Sequence, residues 1–223
     1  MSMKRLLLAF ATTAALSLPA SATDWNGFYA GLNGGYGWRN EDSYSLFRNF
    51  DGLNIGVPGT TSADGAFGGI QIGYNWQRGS WIAGFESDFS ISAVDGSASA
   101  NGNGTDAVAT TDVRYFGTVR GRFGYDAGSL LIYATGGLAY ADVDYDLYVA
   151  DLPVIDRLRN DGVRIGYTVG GGVERTLADQ WSAKIEYQFM DFGSESLTGS
   201  LVHTTEDLKL QTVRFGLNYK LSN

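Results

Sequence analysis

The residues best able to do chemistry in this chain are charged side chains at alternate positions, separated by apolar or aromatic ones. Carboxylates and cationic groups at this spacing can form ion pairs, or they can line a passage that selects ions by charge. The set comprises Glu86, Asp88, Arg114, Arg120, Arg122, Arg164, Glu174, Lys184, Glu186, Arg214 and Lys220. Either role requires elements that bring these charges to one common face.

Alternation with a period of two is typical of β-strands, whose successive side chains point to opposite faces. Segment 213–221 shows it clearly, with valine, phenylalanine, leucine, tyrosine and leucine on one face and arginine, glycine, asparagine and lysine on the other. The pattern predicts eight strands, at about residues 26–38, 65–77, 81–91, 111–125, 130–140, 163–174, 181–189 and 213–221.

The predicted connections alternate in length. Three of them contain four or five residues, whereas residues 39–64, 93–110, 142–161 and 193–208 form longer ones. Aromatic residues fall near strand ends, where membrane barrels carry girdles: Tyr36, Trp38, Tyr74, Trp76, Trp81, Tyr125, Tyr140, Trp181 and Tyr219. These features predict an all-β fold, an eight-stranded antiparallel transmembrane β-barrel with short periplasmic turns and four longer extracellular loops.

A soluble eight-stranded barrel of the lipocalin type would also alternate, but with its apolar face turned inward and an evenly polar exterior. Here the polar face is rich in glycine and carries charges of both signs, which suits a packed interior better than a soluble surface. The membrane barrel is therefore favoured.

The N-terminus has the pattern of a secretory signal peptide. Lys4 and Arg5 precede an apolar run at 6–18, and Ala20-Ser21-Ala22 follows as a small-residue cleavage site. We predict a cleaved signal peptide at residues 1–22 and a single barrel domain at residues 23–223. A retained N-terminal anchor is the alternative, although the apolar run is shorter than a spanning helix requires.

Composition excludes several classes of function. The chain has no cysteine, so it has neither disulfides nor thiolate metal ligands. A net charge of −8 without basic clusters argues against a nucleic-acid partner. The 31 glycines and 3 prolines fit a chain of many strands and turns.

The charged set permits two interpretations. An eight-stranded barrel is just wide enough to be filled by side chains, so the charges could pair across the lumen and plug it. Alternatively, the excess of seven cations over four anions could line a narrow, water-filled pore that favours anions.

Other candidate sites are weaker. Asp142, Asp144 and Asp146 alternate on one face, but Leu147 and Pro153 replace the glycine and glutamate of a calcium loop. They form either a solvated rim or a weak divalent-cation site that bridges to lipopolysaccharide phosphates. His203, the only histidine, lies on a polar segment without a partnering nucleophile, so no catalytic, cofactor or metal residue is predicted.

The segment from Asp24 to Trp38 (DWNGFYAGLNGGYGW), directly after the signal peptide, resembles a known family. It is similar to the small alphaproteobacterial outer-membrane β-barrels described as porin-family or outer-membrane immunogenic proteins, which are related to the transmembrane domain of OmpA. The resemblance extends through segment 213–219. It implies export to the Gram-negative outer membrane and contact with outer-membrane lipid and lipopolysaccharide. Because the sequence ends with strand eight, no OmpA-like peptidoglycan-binding domain is expected after it.

The resemblance also implies insertion by the barrel-assembly machinery. Arg214, Gly216, Tyr219 and Leu221 occupy the places of its C-terminal recognition signal, with Leu221 where an aromatic residue is usual.

Apolar residues in the segments 44–55 and 147–158 could bind an unknown surface partner or fold over the barrel mouth. We therefore predict a non-enzymatic barrel that supports envelope integrity and presents surface loops, with a narrow, weakly anion-preferring porin as the alternative.

Overall fold

The computed structural model describes residues 23–39, 42–44, 47–48, 59–61, 63–102, 105–151, 154–198 and 202–221. These ranges contain eleven strands: β1 Gly27–Trp38, β2 Asp42–Tyr44, β3 Phe47–Arg48, β4 Gly59–Thr61, β5 Asp64–Arg78, β6 Trp81–Gly102, β7 Thr105–Asp126, β8 Leu130–Asp151, β9 Val154–Ala178, β10 Trp181–Thr198 and β11 Val202–Lys220. Within them, no helix is long and apolar enough to cross a membrane.

Eight of these strands form a closed antiparallel ring in the order β1-β5-β6-β7-β8-β9-β10-β11, and β11 pairs back with β1. The predicted eight-stranded barrel is confirmed. Closure leaves no free strand edge at the level where all eight strands pair. The three short strands are not among the eight that close the ring: β2 pairs with β4, and β3 pairs with the start of β11.

The exterior of the ring carries a broad apolar belt. Leu32, Ile91 and Ile165 are 65 to 72% exposed, whereas their polar neighbours along the strands point inward. Rings stack side by side in this belt, as in the Trp81–Phe123 pair with centroids 5.3 Å apart. The predicted division of strand faces is confirmed for most positions, because a lipid-facing exterior and a filled interior demand opposite chemistry of successive residues.

The strands run much further than predicted at the end opposite the short turns. Most of residues 93–110, 142–161 and 193–208, predicted as long loops, belong to β6 through β11. There the chemistry of the two faces is inverted: Asp95 and Asp112 are exposed on the outside while Val94 and Val143 are buried inside. A search for apolar residues on the outer face therefore misses this part of the strands.

The prediction that Arg114 faces the lumen is wrong, because a β-bulge lies at this point of β7. The register of β7 against β8 shifts between Val113 and Tyr115, which is the mark of a β-bulge. The extra residue reverses the alternation, so Val113, predicted outward, is buried, and Arg114, predicted inward, has a side chain that is 53% exposed.

Some aromatic side chains inside the barrel lie directly over glycines. A Cβ atom added to Gly73 on β5 would lie 2.3 Å from the hydroxyl oxygen of Tyr29, and one on Gly172 would lie 2.8 Å from that of Tyr133. Gly73 and Gly172 are the direct cross-strand neighbours of Tyr29 and Tyr133, and only glycine leaves room for these rings there. The glycine-rich inner face thus lets Tyr29 and Tyr133 bring their hydroxyls to the barrel axis.

Candidate functional site: the charged lumen

Eight of the eleven predicted charged residues meet in the middle of the lumen, and we call this set the lumen cluster. All eight are at most 3% exposed. The lumen cluster comprises Glu86, Asp88, Glu174, Glu186, Arg120, Arg122, Lys184 and Arg214. It contains equal numbers of acidic and basic side chains, so its formal charges balance.

The strand register sets up the first contacts of the lumen cluster. Glu86 lies directly opposite Arg120, and Glu186 lies directly opposite Arg214. Because inward side chains of an antiparallel pair stand side by side, opposite charges at these positions favour the pairing.

Further contacts cross the lumen rather than follow the wall. Arg120 donates from Nη2 to its wall neighbour Glu86 Oε1 and also, across the lumen, from Nη1 to Glu186 Oε1, each over 2.6 Å. Lys184 Nζ lies 2.7 and 2.8 Å from the two carboxylate oxygens of Glu86. These bonds join β6, β7 and β10 and fill the barrel axis with side chains.

Arg122 and Glu174 form a second centre towards the short-turn end. Arg122 Nη2 donates to Glu174 Oε2 over 2.6 Å, and its guanidinium carbon lies 4.0 Å from the ring centroid of Tyr133. Glu174 Oε1 also accepts from Asn218 over 2.8 Å and from Ser182 over 2.5 Å. Stacking and charge-assisted hydrogen bonds offset the cost of burying these charges.

Asp88 and Arg214 complete the lumen cluster on the other side. Arg214 Nη1 lies 3.1 Å from Asp88 Oδ1, and its guanidinium carbon lies 5.5 Å from the ring centroid of Phe67. Thr118 donates its hydroxyl to Asp88.

Neutral polar groups extend this network around the wall. Gln71 donates to Asn218 over 2.5 Å and Asn33 donates to Gln71 over 3.3 Å, which links β1, β5 and β11 across the closing pair of the barrel.

Apolar layers lie above and below the lumen cluster. On the side of the long strands, Phe67 and Phe116 pack edge to face with centroids 5.1 Å apart. The rest of this upper layer is Ala63, Val94, Val113, Ala139, Ala141, Val143, Met190, Phe192, Leu208 and Leu210. At the short-turn end a smaller layer contains Trp25, Ile82, Leu131 and Tyr133. Sequence reasoning missed most of the upper layer because most of its residues lie beyond the ends of the predicted strands.

The segment before β1, residues 23–26, packs against the short-turn end of the barrel, and we call it the strap. Trp25 is buried, and its backbone N–H donates to Gln77 Oε1 over 2.7 Å. Lys220 Nζ donates to the backbone oxygen of Asp24 over 2.9 Å and to its Oδ2 over 2.7 Å. This hydrogen bond with Lys220 lowers the pKa of Asp24.

A small cavity of about 40 Å³ lies beside this strap, next to Glu174, Trp181 and Lys220. It has room for roughly three water molecules.

Three predicted residues lie away from the lumen cluster. Lys220 faces the lumen at the short-turn mouth, where it pairs with Asp24. Arg164 lies opposite the buried Ala141 at the other end of the barrel and is half-buried. Arg114 lies on the outer surface, 2.9 Å from Asp142 Oδ2 and 3.2 Å from Asp144 Oδ1. The excess of cations that suggested a pore is therefore not part of the lumen cluster.

Asp144, one of the three aspartates predicted at the rim, belongs to a longer row on the outer surface. Asp95 on β6, Asp112 on β7, Asp144 on β8 and Asp161 on β9 lie directly opposite one another from strand to strand. Arg114 is bound to Asp142 and Asp144, two of the three carboxylates predicted as a divalent-cation site.

Several of the predictions made from the sequence stay predictions. The signal peptide at 1–22 and most of segment 44–55 lie outside the described residues, and little is described of the side chains at 147–158 or of His203. In the predicted assembly signal, Arg214 and Gly216 face inward while Leu221 is exposed, and recognition by the machinery stays a prediction.

Comparison with known proteins identifies the family. The family described as "Outer membrane protein beta-barrel domain" matches residues 6–220. The chain is 37% identical over 212 residues to the 31 kDa outer-membrane immunogenic protein of Brucella melitensis, covering 93% of this chain and 88% of that one. It is 34% identical over 175 residues to the 22 kDa outer membrane protein of Rhizobium leguminosarum, covering 78% and 67%.

Among solved structures, OprG of Pseudomonas aeruginosa shares the fold with a TM-score of 0.51 at 14% identity, covering 89% of this chain and 98% of OprG. With the predicted resemblance confirmed, the chain belongs to the outer-membrane β-barrel family that includes the Brucella and Rhizobium proteins, and it is a protein of the outer membrane.

Proposed function

We propose that this protein is a closed, non-conducting, non-enzymatic barrel that strengthens the outer membrane and presents its extracellular strands as a contact surface. The observation that carries the proposal is the charge-balanced lumen cluster held between two apolar layers. Each of its ions is buried and paired, so an ion entering the lumen would have to break these pairs.

The alternative, a narrow pore that prefers anions, depended on surplus cations in the lumen. Arg114 contributes to the outer surface, and Lys220 is paired with Asp24 at the mouth. The lumen cluster itself gives an anion no net attraction, which favours the closed barrel.

Single-channel recording tests the closed lumen. The mature chain is refolded into a planar lipid bilayer, and a heat-modifiable shift in gel mobility verifies folding. We expect a folded protein without conductance steps. As a control, Phe116→Ala opens the upper layer and retains Phe67 beside Arg214, so it should also be silent if the ion pairs close the lumen. Stable anion-selective steps from the wild-type chain would establish the pore instead.

The proposed role at the surface is supported by the strands that extend beyond the apolar belt and by the Brucella relatives, whose names describe them as immunogenic. A deletion strain should become more sensitive to detergent and bile salts, and the wild-type gene should restore resistance. Unchanged sensitivity in the deletion strain would contradict the structural role. Antibody against segment 96–110 should label intact cells.

A further inference from the structure

The cavity of about 40 Å³ beside the strap lies at the short-turn end of the barrel, which is its periplasmic mouth. The strap supplies one side of the cavity, with Thr23, Asp24 and Trp25. The opposite side is formed by the ends of β9, β10 and β11 and by the turn at 179–180 that joins β9 to β10. The lining contains three carboxylates and one ammonium group, so its charges decide what fits there.

The ion pairs around this cavity leave one carboxylate over. Lys220 is paired with Asp24 over 2.7 Å, and Glu174 is paired with Arg122 over 2.6 Å. Asp179, the third carboxylate of the lining, lies in the exposed turn and forms no ion pair within the part of the chain that the structure describes. The cavity therefore presents one negative charge that a cation would neutralise.

Two buried atoms of the lining also lack hydrogen-bond partners among the described residues. They are Thr176 Oγ1 and the indole Nε1 of Trp25, a side chain that is only 7% exposed. Buried polar atoms are normally hydrogen-bonded, because leaving one unsatisfied is costly. The cavity has room for one ammonium group together with about two water molecules. Such an occupant would give Thr176 a donor and Trp25 an acceptor.

Cleavage of the predicted signal peptide would create a cation at this point. A signal peptidase hydrolyses the bond between Ala22 and Thr23 with one water molecule, which leaves a carboxylate on Ala22 and an amine on Thr23. This α-amine is mostly protonated at neutral pH and has three N–H donors, whereas before cleavage the same nitrogen is an uncharged amide with one. Because Thr23 already lines the cavity, the new ammonium group forms where the unpaired carboxylate lies.

We propose that the α-ammonium group of Thr23 binds in this cavity and pairs with Asp179, so that removal of the signal peptide completes the strap. The ligand of the site is a primary ammonium group, and the chain supplies it itself. A tethered group has an effective concentration on the order of millimolar or more, which favours it over free amines. The inference goes beyond the closed-barrel function and does not depend on whether the lumen conducts.

Acylation of the amines tests the site. Mass spectrometry of the exported protein first identifies its N-terminus, and cleavage at a bond other than Ala22–Thr23 would overturn the proposal. The folded mature chain is then treated at neutral pH with an acetyl ester of N-hydroxysuccinimide. The rate at Thr23 is divided by the rate in the urea-unfolded chain. We expect acylation of Thr23 to be about tenfold slower in the folded protein, because a paired ammonium group has no free lone pair.

A substitution in the turn shows whether the carboxylate causes this protection. Asp179→Asn should abolish most of it, whereas Asp112→Asn, an exposed aspartate at the other end of the barrel, should leave it unchanged. The partly exposed Lys209 should react at the same rate in all variants. An unprotected Thr23 in the wild type, or equal protection in wild type and Asp179→Asn, would overturn the proposal.

A second measurement distinguishes the chain's own ammonium group from a free amine. The fluorine signal of fluorotryptophan at Trp25 is recorded for the mature chain, for the chain acetylated at Thr23, and for the chain dimethylated there, which keeps the charge. We expect acetylation to shift the signal clearly and dimethylation to shift it less. Equal shifts would indicate an effect of bulk and would overturn the pairing.

Methylammonium chloride is then added to the mature chain, with sodium chloride at equal ionic strength as the control. We expect no difference between the two salts, because the site is already filled. A shift of the Trp25 signal with methylammonium alone would assign the cavity to a free amine and overturn the proposal.

Discussion

Lys184 and Glu86 face each other across the barrel axis, and the ammonium group of Lys184 contacts both carboxylate oxygens of Glu86. Glu86 also accepts from Arg120 over 2.6 Å and from the Tyr29 hydroxyl over 2.8 Å. One carboxylate thus connects four strands, β1, β6, β7 and β10. Because these partners share one carboxylate, the loss of any one of them changes the contacts of the others.

Removing one cation from the lumen cluster should destabilise the barrel strongly. We expect Arg120→Met to lower the free energy of unfolding by about 3–5 kcal/mol, since Glu86 and Glu186 lose a buried partner. Urea unfolding in lipid vesicles, followed by gel mobility, measures the change. The control is Lys209→Met, which breaks an exposed pair with Asp207 and should cost about 1 kcal/mol or less. Equal losses in the two variants would contradict the importance of burial.

The contact between Glu86 and Lys184 should appear as coupling in a double-mutant cycle. Glu86→Gln removes the carboxylate that pairs with Lys184, and Lys184→Met removes one of the two cations that contact Glu86, whereas the double variant removes both partners. We expect the double variant to be more stable than the sum of the single losses predicts, by about 0.5–3 kcal/mol. The same unfolding measurement applies. Strict additivity would mean that Arg120 and Tyr29 hold Glu86 without help from Lys184.

Gly73 should not tolerate a side chain. A Cβ there would meet the Tyr29 ring and, at 2.7 Å, the backbone oxygen of Phe85. Because the Tyr29 hydroxyl is bound to Glu86, the ring cannot move freely, and we expect Gly73→Ala to cost about 1–3 kcal/mol. Gly68→Ala is the control, since its Cβ would have only the Asn33 oxygen within 4 Å, at 3.9 Å. A loss in Gly68→Ala as large as in Gly73→Ala would indicate a general effect of glycine replacement.

The strap at the periplasmic mouth should open only when pH falls below the ordinary pKa of aspartate. The pKa of Asp24 is lowered, first by the hydrogen bond from Lys220, so its ion pair is intact above the ordinary pKa of aspartate and is lost as pH falls through the lowered value. Fluorine NMR of fluorotryptophan-labelled protein, with the Trp25 signal assigned by Trp25→Phe, follows the strap. We expect this transition in the wild type and none in Asp24→Asn. A Trp25 signal that titrates identically in both would exclude Asp24.

Arg114 should stabilise the extracellular strands through its ion pairs with Asp142 and Asp144. We expect Arg114→Gln to destabilise the extracellular strands by up to about 1 kcal/mol at low salt, because Asp142 and Asp144 lose their cation. Added salt should reduce this loss by screening. Hydrogen exchange of β7 and β8 gives the readout. Arg78→Gln, an exposed arginine at the opposite rim, is the control and should leave exchange there unchanged.

The sequence predicted the barrel and the faces of its strands wherever lipid surrounds the wall, because only there is the outer face apolar. It failed at residues such as Val94 and Asp95, where water outside the barrel inverts the pattern. It also failed at Arg114, since a bulge leaves no mark in the alternation. The contact between Glu86 and Lys184 cannot be predicted from the sequence. Alternation assigns a residue to the lumen but does not indicate which residue faces it.

The lumen cluster has a consequence for the order of assembly. Glu86 lies in the first half of the chain, whereas Glu186 and Arg214 come from the last two strands. A sheet that lacks β10 and β11 would leave Glu86 without Lys184 and Asp88 without Arg214, so we expect the inner face of the nascent wall to stay hydrated until the last hairpin arrives. Expulsion of that water is then coupled to the meeting of β11 with β1, and dehydration of the interior becomes the closing step of folding.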